Sequence, residues 1–353
     1  MSAKTVVVIA CIFSVTCTTS VLGFRDVLDT PAIQSSLAAR TLLNGVCTAG
    51  KRIVCVGHKG NVVYSDDQGK SWRQASVPVS SDLVSVFFPS PQKGWAVGHD
   101  GVVLHSSDGG ATWVNQFDGR AAPQVMAAYY AQHPFRPLPG LDAAGLMNEI
   151  NRNVKGGADK PFLDVWFENE TTGFIVGAFN LIFRTGDGGK SWEPWFDRTE
   201  NPRFLHLYSV RSVGQELFIA GEQGLVLKLD RGAGMFRWMK TPYNGSLFGI
   251  TGSSKAVIAF GMKGNAFRSV DGGRSWQKIK TGVSIGLMGG TLMENGRIVL
   301  VSQRGEVIAS SDEGASFKLI YSDQSFPATG VVAFDRDKVV VIGYLGVQVK
   351  ELK

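Results

Sequence analysis

The residues that first invite a chemical reading are aspartates that recur in fixed company. Ser65-Asp66-Asp67-Gln68-Gly69-Lys70-Ser71-Trp72 returns as Ser106 to Trp113, Thr185 to Trp192 and Ser269 to Trp276, and again as Ser310 to Phe317 with phenylalanine in the last place. An aspartate in a glycine-rich loop suggests calcium, but the twelve-residue ligand pattern with a terminal bidentate glutamate is absent after Asp67, Asp108 or Asp271. These residue types suit a β-hairpin better. The aspartate accepts backbone N–H bonds within the turn, the glycines allow positive φ, and the aromatic residue packs into the sheet. Asp67, Asp108, Asp187, Asp271 and Asp312, with Trp72, Trp113, Trp192, Trp276 and Phe317, are therefore expected to be structural.

Other chemistry is thinly supplied. Five scattered histidines, His58, His99, His105, His133 and His206, show no metal-ligand spacing. Cys47 and Cys55 flank a turn at Ala49 to Lys51 and could form a disulfide across a hairpin in an oxidising compartment, or be two small buried hydrophobes. As a pair they are too few for structural zinc. Sialidase-type hydrolysis would need an arginine cluster, a tyrosine with a glutamate, and an aspartic acid on one face. Aligning the first strand of each repeat puts Asn44, Ser85, Asp164, Ser209, Gly249, Gly290 and Gly330 at one channel-facing level, where only Asp164 ionises. A lone carboxylate makes no acid–base pair, so no catalytic residue, metal or cofactor is expected.

One register hints at recognition. The residue before each aspartate motif is Tyr64, His105, Arg184, Lys228, Arg268, Ala309 or Lys350. Arg184, Lys228, Arg268 and Lys350 would share an outward strand face. They read either as solvated edge charges or as a basic patch for an acidic or phosphate-bearing partner.

The elements that must position these groups follow from the repeat. Asp67, Asp108, Asp187, Asp230, Asp271 and Asp312 mark a period of about 40 residues, with one interval nearly doubled. A second glycine pair precedes each motif, at Gly57/Gly60, Gly98/Gly101, Gly177/Asn180, Gly221/Gly224, Gly261/Gly264, Ser302/Gly305 and Gly343/Gly346. Seven such units of alternating apolar residues predict an all-β protein, a seven-bladed β-propeller of four-stranded antiparallel blades. The seventh unit stops after its third strand. Phe24 to Pro31 resembles the strands that follow the motif, such as Trp238 to Pro242, so residues 24–31 are expected to close blade 7.

Residues 120–160 depart from the repeat and predict a helical and loop insertion between blades 2 and 3. Ala122 to Gln132 suits one helix, broken at Pro134, Pro137 and Pro139. A second runs from Asp142 as N-cap to Val154, with Leu146, Met147, Ile150 and Val154 along one side. That stripe packs on its own domain or, with Tyr129, Tyr130 and Phe135, offers a docking surface.

Lys4, the apolar run Val6 to Val15, Thr16 to Ser20 and Gly23 read as a signal peptide over residues 1–23, cleaved before Phe24. The run falls short of the roughly 20 residues a bilayer span needs, so the protein is not expected to be transmembrane after cleavage. Val8-Ile9-Ala10-Cys11 looks like a lipoprotein cleavage box with too short an apolar region before it, and Cys17 follows a poorer match. The 353 residues carry a formal charge of +6 spread without blocks, weak support for nucleic acid.

Val97-Gly98-His99-Asp100-Gly101, and Val176-Gly177 followed by Phe183-Arg184-Thr185-Gly186-Asp187-Gly188-Gly189-Lys190-Ser191-Trp192, resemble the photosystem II stability/assembly factor family over nearly the whole mature chain. The resemblance implies a seven-bladed propeller in the periplasm or thylakoid lumen that binds reaction-centre assembly intermediates, partly through an arginine-rich surface. Arg184 and Arg268 would be the first candidates. The expectation is thus a monomeric, exported, non-catalytic scaffold with a protein partner in a membrane-associated complex. The alternative is a carbohydrate-binding or glycosidase-like propeller.

Overall fold

The computed structural model describes residues 25–136 and 142–352. Seven antiparallel sheets follow one another along the chain, over residues 43–74, 83–117, 162–194, 207–238, 247–279, 287–322 and 328–351. The first six have four strands in sequential order and the seventh has three. Each second strand is apolar throughout; in Gly94–Gly98 all five residues are buried. Blades therefore stack face to face, as where Trp95 lies on Phe167 with ring centroids 3.6 Å apart. At some inner-strand glycines this stacking leaves no space for a side chain. A Cβ on Gly45 would come within 2.9 Å of Ser85 Cα, and one on Gly289 within 2.9 Å of Gly330 Cα.

The innermost strand of every blade carries a register shift, between Leu43 and Gly45, Leu83 and Ser85, Leu207 and Ser209, Leu247 and Gly249, Leu287 and Gly289, Ala328 and Gly330, and opposite Gly177 in blade 3. A β-bulge adds one residue and re-aims its side chain. The bulged residues are Asn44, Val84, Leu163, Tyr208, Phe248, Met288 and Thr329. Each is partly exposed, most of them between buried neighbours. This corrects the aligned level given above: Gly45 and Gly289, not Asn44 and Gly290, match Ser85, Asp164 and Ser209.

Among the described residues, the expected closing strand over residues 24–31 is not formed: residues 25–31 do not pair with blade 7. Val27–Asp29 is a 3₁₀ turn capped by Asp26, whose carboxylate accepts from Leu28 N–H. Leu28 is buried between blades 1 and 2. The segment runs along the outside of blade 1, where Ser80 N–H donates to Val27 O and Ala32 N–H to Val77 O. A seat for Leu28 among Val77, Val79 and Val102 outcompetes strand pairing, which Pro31 could not support by N–H donation. The ring closes instead through the inner strands, where Thr329 Oγ1 donates to Leu43 O.

The insertion forms helices Ala122–Gln132 and Ala143–Gly156, the second capped by Asp142 as expected. Leu146 and Ile150 are buried with Met126 and Tyr130 against blade 3. Tyr130 donates to Asp197, and Tyr129 to Glu193. The apolar stripe is thus core, not a free docking surface. Residues 1–23, read above as a signal peptide, Pro137, Pro139 and the side chain of Val154 lie outside the described residues.

Candidate functional site

The aspartate motifs are hairpins closed by their own side chains. Ser65 Oγ donates to Asp67 and accepts from Gly69 N–H, while Ser71 gives Asp67 both its N–H and its hydroxyl, at 2.9 and 2.6 Å. The Ser71 hydroxyl and N–H hold the Asp67 carboxyl down to about 2. Asp108, Asp187, Asp271 and Asp312 repeat the arrangement with Thr112, Ser191, Ser275 and Ser316, and each sits below the ordinary carboxylate range. The indoles of Trp72, Trp113 and Trp276 donate back to the turn glycines. Trp192 is buried without such a bond, and Phe317 has no donor to give.

The motif turns also receive a bond from the preceding blade. Arg52 reaches Asp108 O and Gly109 O, Gln116 reaches Gly188 O, Lys228 reaches Gly272 O, and Arg268 reaches Glu313 O at 2.8 Å. Lys228 also pairs with Glu216 at 3.0 Å, and the Arg184 guanidinium lies 5.7 Å over Trp195. The cations singled out from sequence are spread over separate blades, and each is engaged within the fold. Lys350 does not belong to their register at all. Blade 7 turns through Tyr344 and Leu345 alone, with Gly343 opposite Gly346, so its third strand slides by one residue. Val349, opposite Val340, takes the place that Tyr64 holds opposite Val54. Lys350 instead faces blade 6, with Nζ 2.8 Å from the Tyr321 hydroxyl.

Among the described residues, Cys47 and Cys55 are both free. Cys47 lies opposite Val54, and Cys55 opposite Val46. With a period of two, that offset points the thiols to opposite faces of the blade, Cys47 toward blade 2 and Cys55 toward blade 7. Of the two readings, the bridge is not formed and the two residues are small packed hydrophobes, with burial raising both thiol pKa values.

In the channel, Asp164 is buried and fully engaged. It accepts from Ser85 Oγ at 2.6 Å, Val165 N at 3.0 Å, Val210 N at 2.7 Å and Arg211 Nη1 at 2.6 Å. Arg211 was missed from sequence because its partner lies in another blade. With every site on its carboxylate taken, Asp164 is a cross-blade strut.

The richest accessible surface is the face formed by the turns between second and third strands. In blades 1 to 5 the middle residue of this turn adopts left-handed φ, at Lys59, Asp100, Phe179, Gln223 and Lys263. Glycine suits that conformation best, and an aromatic residue there is uncommon. Phe179 nonetheless stands 46% exposed at φ 53°. Its N–H donates to His206 Nδ1, placing the ring proton on Nε2, which faces Glu222 at 4.0 Å. The aromatics continue inward: Phe179 to His206 at 4.4 Å, His206 to Tyr208 at 6.1 Å and Tyr208 to Phe248 at 5.7 Å. Met288 and exposed Met262 extend this apolar crescent over blades 3 to 6. Lys59, Lys263 and Arg304 are exposed on the same turns and form no ion pair among the described residues.

Seven antiparallel sheets joined in a ring, with motif hairpins that serve the scaffold, define a seven-bladed β-propeller. Matches of the chain to the sequence profile of one family cover residues 26–107, 65–125 and 147–325. The chain belongs to that family, the photosynthesis system II assembly factor YCF48 family. It is 28% identical over 192 residues to the photosystem II assembly lipoprotein Ycf48 of Synechococcus sp. (strain CC9902), covering 53% of this chain and 57% of the relative. To the protein of that name from Prochlorococcus marinus it is 31% identical over 159 residues, 44% of this chain and 46% of the relative. The chain thus spans about half the length of the curated relatives it matches. Among solved structures, YCF48 bound to D1 peptide superposes with a TM-score of 0.64 at 15% identity, over 92% of this chain and 99% of that one. YCF48 from Cyanidioschyzon merolae gives 0.61 at 15% identity, over 89% and 96%. At such identity these structures speak for the fold.

Proposed function

We propose that the protein is an exported, non-catalytic docking scaffold that holds a polypeptide of a membrane-associated complex on its turn face during assembly. The observation that carries this reading is Phe179, an aromatic side chain held exposed in a backbone conformation that disfavours it. The repeat sets the backbone there, as at Lys59, Asp100, Gln223 and Lys263, but only this copy places a half-exposed aromatic on it, and an aromatic anchor is typical of interface hot spots. The relatives are named photosystem II assembly lipoproteins, and one solved relative carries a bound D1 peptide, which supports a membrane-protein partner and a location at the membrane surface. Among the described residues no helix is long and apolar enough to cross a bilayer. Residues 1–23 remain the proposed export signal. The cations at Lys59, Lys263 and Arg304 favour an acidic partner segment and replace Arg184, Lys228, Arg268 and Lys350 as its contacts. A glycosidase reading finds one channel carboxylate, Asp164, with its acceptor sites filled.

The test is a crosslinked pull-down of the tagged mature protein from its native envelope, beside Phe179→Gly. Removing a hot-spot aromatic of about 2 kcal/mol should lower recovery roughly 30-fold. Relief of left-handed strain, about 1–2 kcal/mol, should roughly offset the lost packing of a half-exposed ring, leaving the melting temperature nearly unchanged. Undiminished recovery by the variant would remove the turn face as the docking site.

A further inference from the structure

We propose that His206 is a positioning residue for the docking face: as a neutral ring it clamps the turn that presents Phe179, and on taking up a proton it releases that turn. The inference rests on the scaffold reading and adds a pH control to the same site.

Two of the five left-handed turns hand the N–H of their middle residue to a side chain, and in both the acceptor is the residue just before the next blade's first strand. In blade 1, Lys59 N–H donates to Asp82 Oδ1 at 2.8 Å. In blade 3, Phe179 N–H donates to His206 Nδ1 at 2.8 Å. The matching places after blades 2, 4 and 5 hold Pro161, Ser246 and Gly286, and among the described residues no side chain accepts from Asp100, Gln223 or Lys263 N–H.

The two acceptors differ in one chemical respect. A carboxyl oxygen accepts in either protonation state. Imidazole Nδ1 accepts only while it carries no proton, and histidine is the side chain whose charge changes between about pH 5 and 8. On a protonated His206, Nδ1–H would face Phe179 N–H donor to donor, so that bond is lost. The charged ring has another partner at hand: Nε2 lies 4.0 Å from Glu222 Oε2, and that carboxylate is itself anchored by His206 N–H at 2.8 Å. The His206 side chain is 26% exposed, which gives protons access.

The charges around this ring do not duplicate its role. Besides Glu222 they are Lys160, whose Nζ lies 5.9 Å from the Phe179 ring, and Arg203, bonded to Gln223 Oε1 at 2.7 Å. Tyr208, 6.1 Å from His206, is held neutral, since burial and the Glu222 charge raise its hydroxyl above the ordinary value. His206 is thus the member of the cluster whose residue type titrates near neutrality. With its ring neutral, Phe179 is fixed at φ 53° and stands 46% exposed. With its ring charged, a backbone conformation that costs an aromatic residue energy loses the bond supporting it, and the anchor is no longer held. The clamp is complete above the histidine range and is lost as pH falls through it.

The test follows amide protection factors of the mature protein by NMR from about pH 8 to about pH 5. Protection at Phe179 should fall about fivefold, what one typical hydrogen bond contributes, while Lys59, held by Asp82, stays constant. His206→Asn keeps an acceptor near the Nδ1 position without a titrating ring, and should hold full protection at both ends. In the pull-down above, crosslinked after binding at each pH, wild-type recovery should fall by about the same factor and recovery by His206→Asn should not. Unchanged protection at Phe179 in the wild type overturns the proposal whatever the variant does. So does an equal fall in His206→Asn, which assigns the titration to another group, an equal fall at Lys59, which makes it a general loosening, or recovery that ignores pH. The scaffold reading is judged apart, by Phe179→Gly at about pH 8. Lowered recovery there beside a pH-insensitive turn leaves docking standing without its switch. Undiminished recovery beside a pH-sensitive turn sinks the scaffold reading, and the control of docking with it.

Discussion

Asp164→Asn separates a strut from a catalytic acid. The substitution keeps the side-chain shape and one acceptor oxygen, but whichever way the amide turns, an NH₂ group must face donors: Ser85 Oγ and Val165 N–H on one side, or Val210 N–H and the Arg211 guanidinium on the other. Breaking a buried ion pair by removing one partner costs about 3–5 kcal/mol. Because the Arg211 side chain is 33% exposed and water recovers part of its charge, about 3 kcal/mol is the expectation here. For a domain of this size that lowers the melting temperature by roughly 6 °C, readable by calorimetry. Arg211→Met alone should be similarly harmful. The double variant should lose less than the sum, with a coupling of about 1–2 kcal/mol. A single Asp164→Asn within 1 kcal/mol of wild type, or strictly additive losses, would refute the strut.

Acid sensitivity follows from the hairpin aspartates. Their folded-state pKa values are depressed, Asp67 to about 2, so the stability they lend is complete above the ordinary aspartate value near 4 and is lost as pH falls toward 2. Melting temperature should fall over that window, and less steeply in Asp312→Asn. The two cysteines of the mature protein should resist thiol reagents until denaturation, and reductant should not shift the melting temperature; an intact mass short by two hydrogens would contradict this. Sequencing of the mature N-terminus should find Phe24, whereas a lipidated Cys11 or Cys17 would align the chain with relatives named lipoproteins.

The repeat carried most of the architecture into view, because motif aspartate, turn glycines and strand alternation are local signals repeated blade after blade. Failures came where spacing and geometry part company. Gly343 and Gly346 have the separation of Gly57 and Gly60, but the two turns differ, and the slip of one residue exchanged Lys350 for Val349. The inner bulges shifted Asn44 and Gly290 out of level for the same reason: a counted alignment has no place for an extra residue. Arg211 and Asp164 meet across blades, and nothing local to either announces the other. The basic strand row drew attention away from the turns, where Lys59, Lys263 and Arg304 stand free on left-handed or neighbouring positions that ordinary strand periodicity does not sample.

The sevenfold bulge has a consequence for how the surface of such a ring can vary. Each blade carries one bulged side chain, partly exposed, and the seven are as unlike as asparagine, tyrosine and methionine; Asn44 and Thr329 are tied to the next blade, donating to Leu83 O and Leu43 O, and among the described residues the other five have no such bond to a neighbouring carbonyl. Variation at the five unbonded positions would change the chemistry of the mouth of the ring at little cost to the sheets beneath. The surface of the mouth can therefore be reshaped by single substitutions while the frame stays the same, as a lock is rekeyed without replacing its barrel.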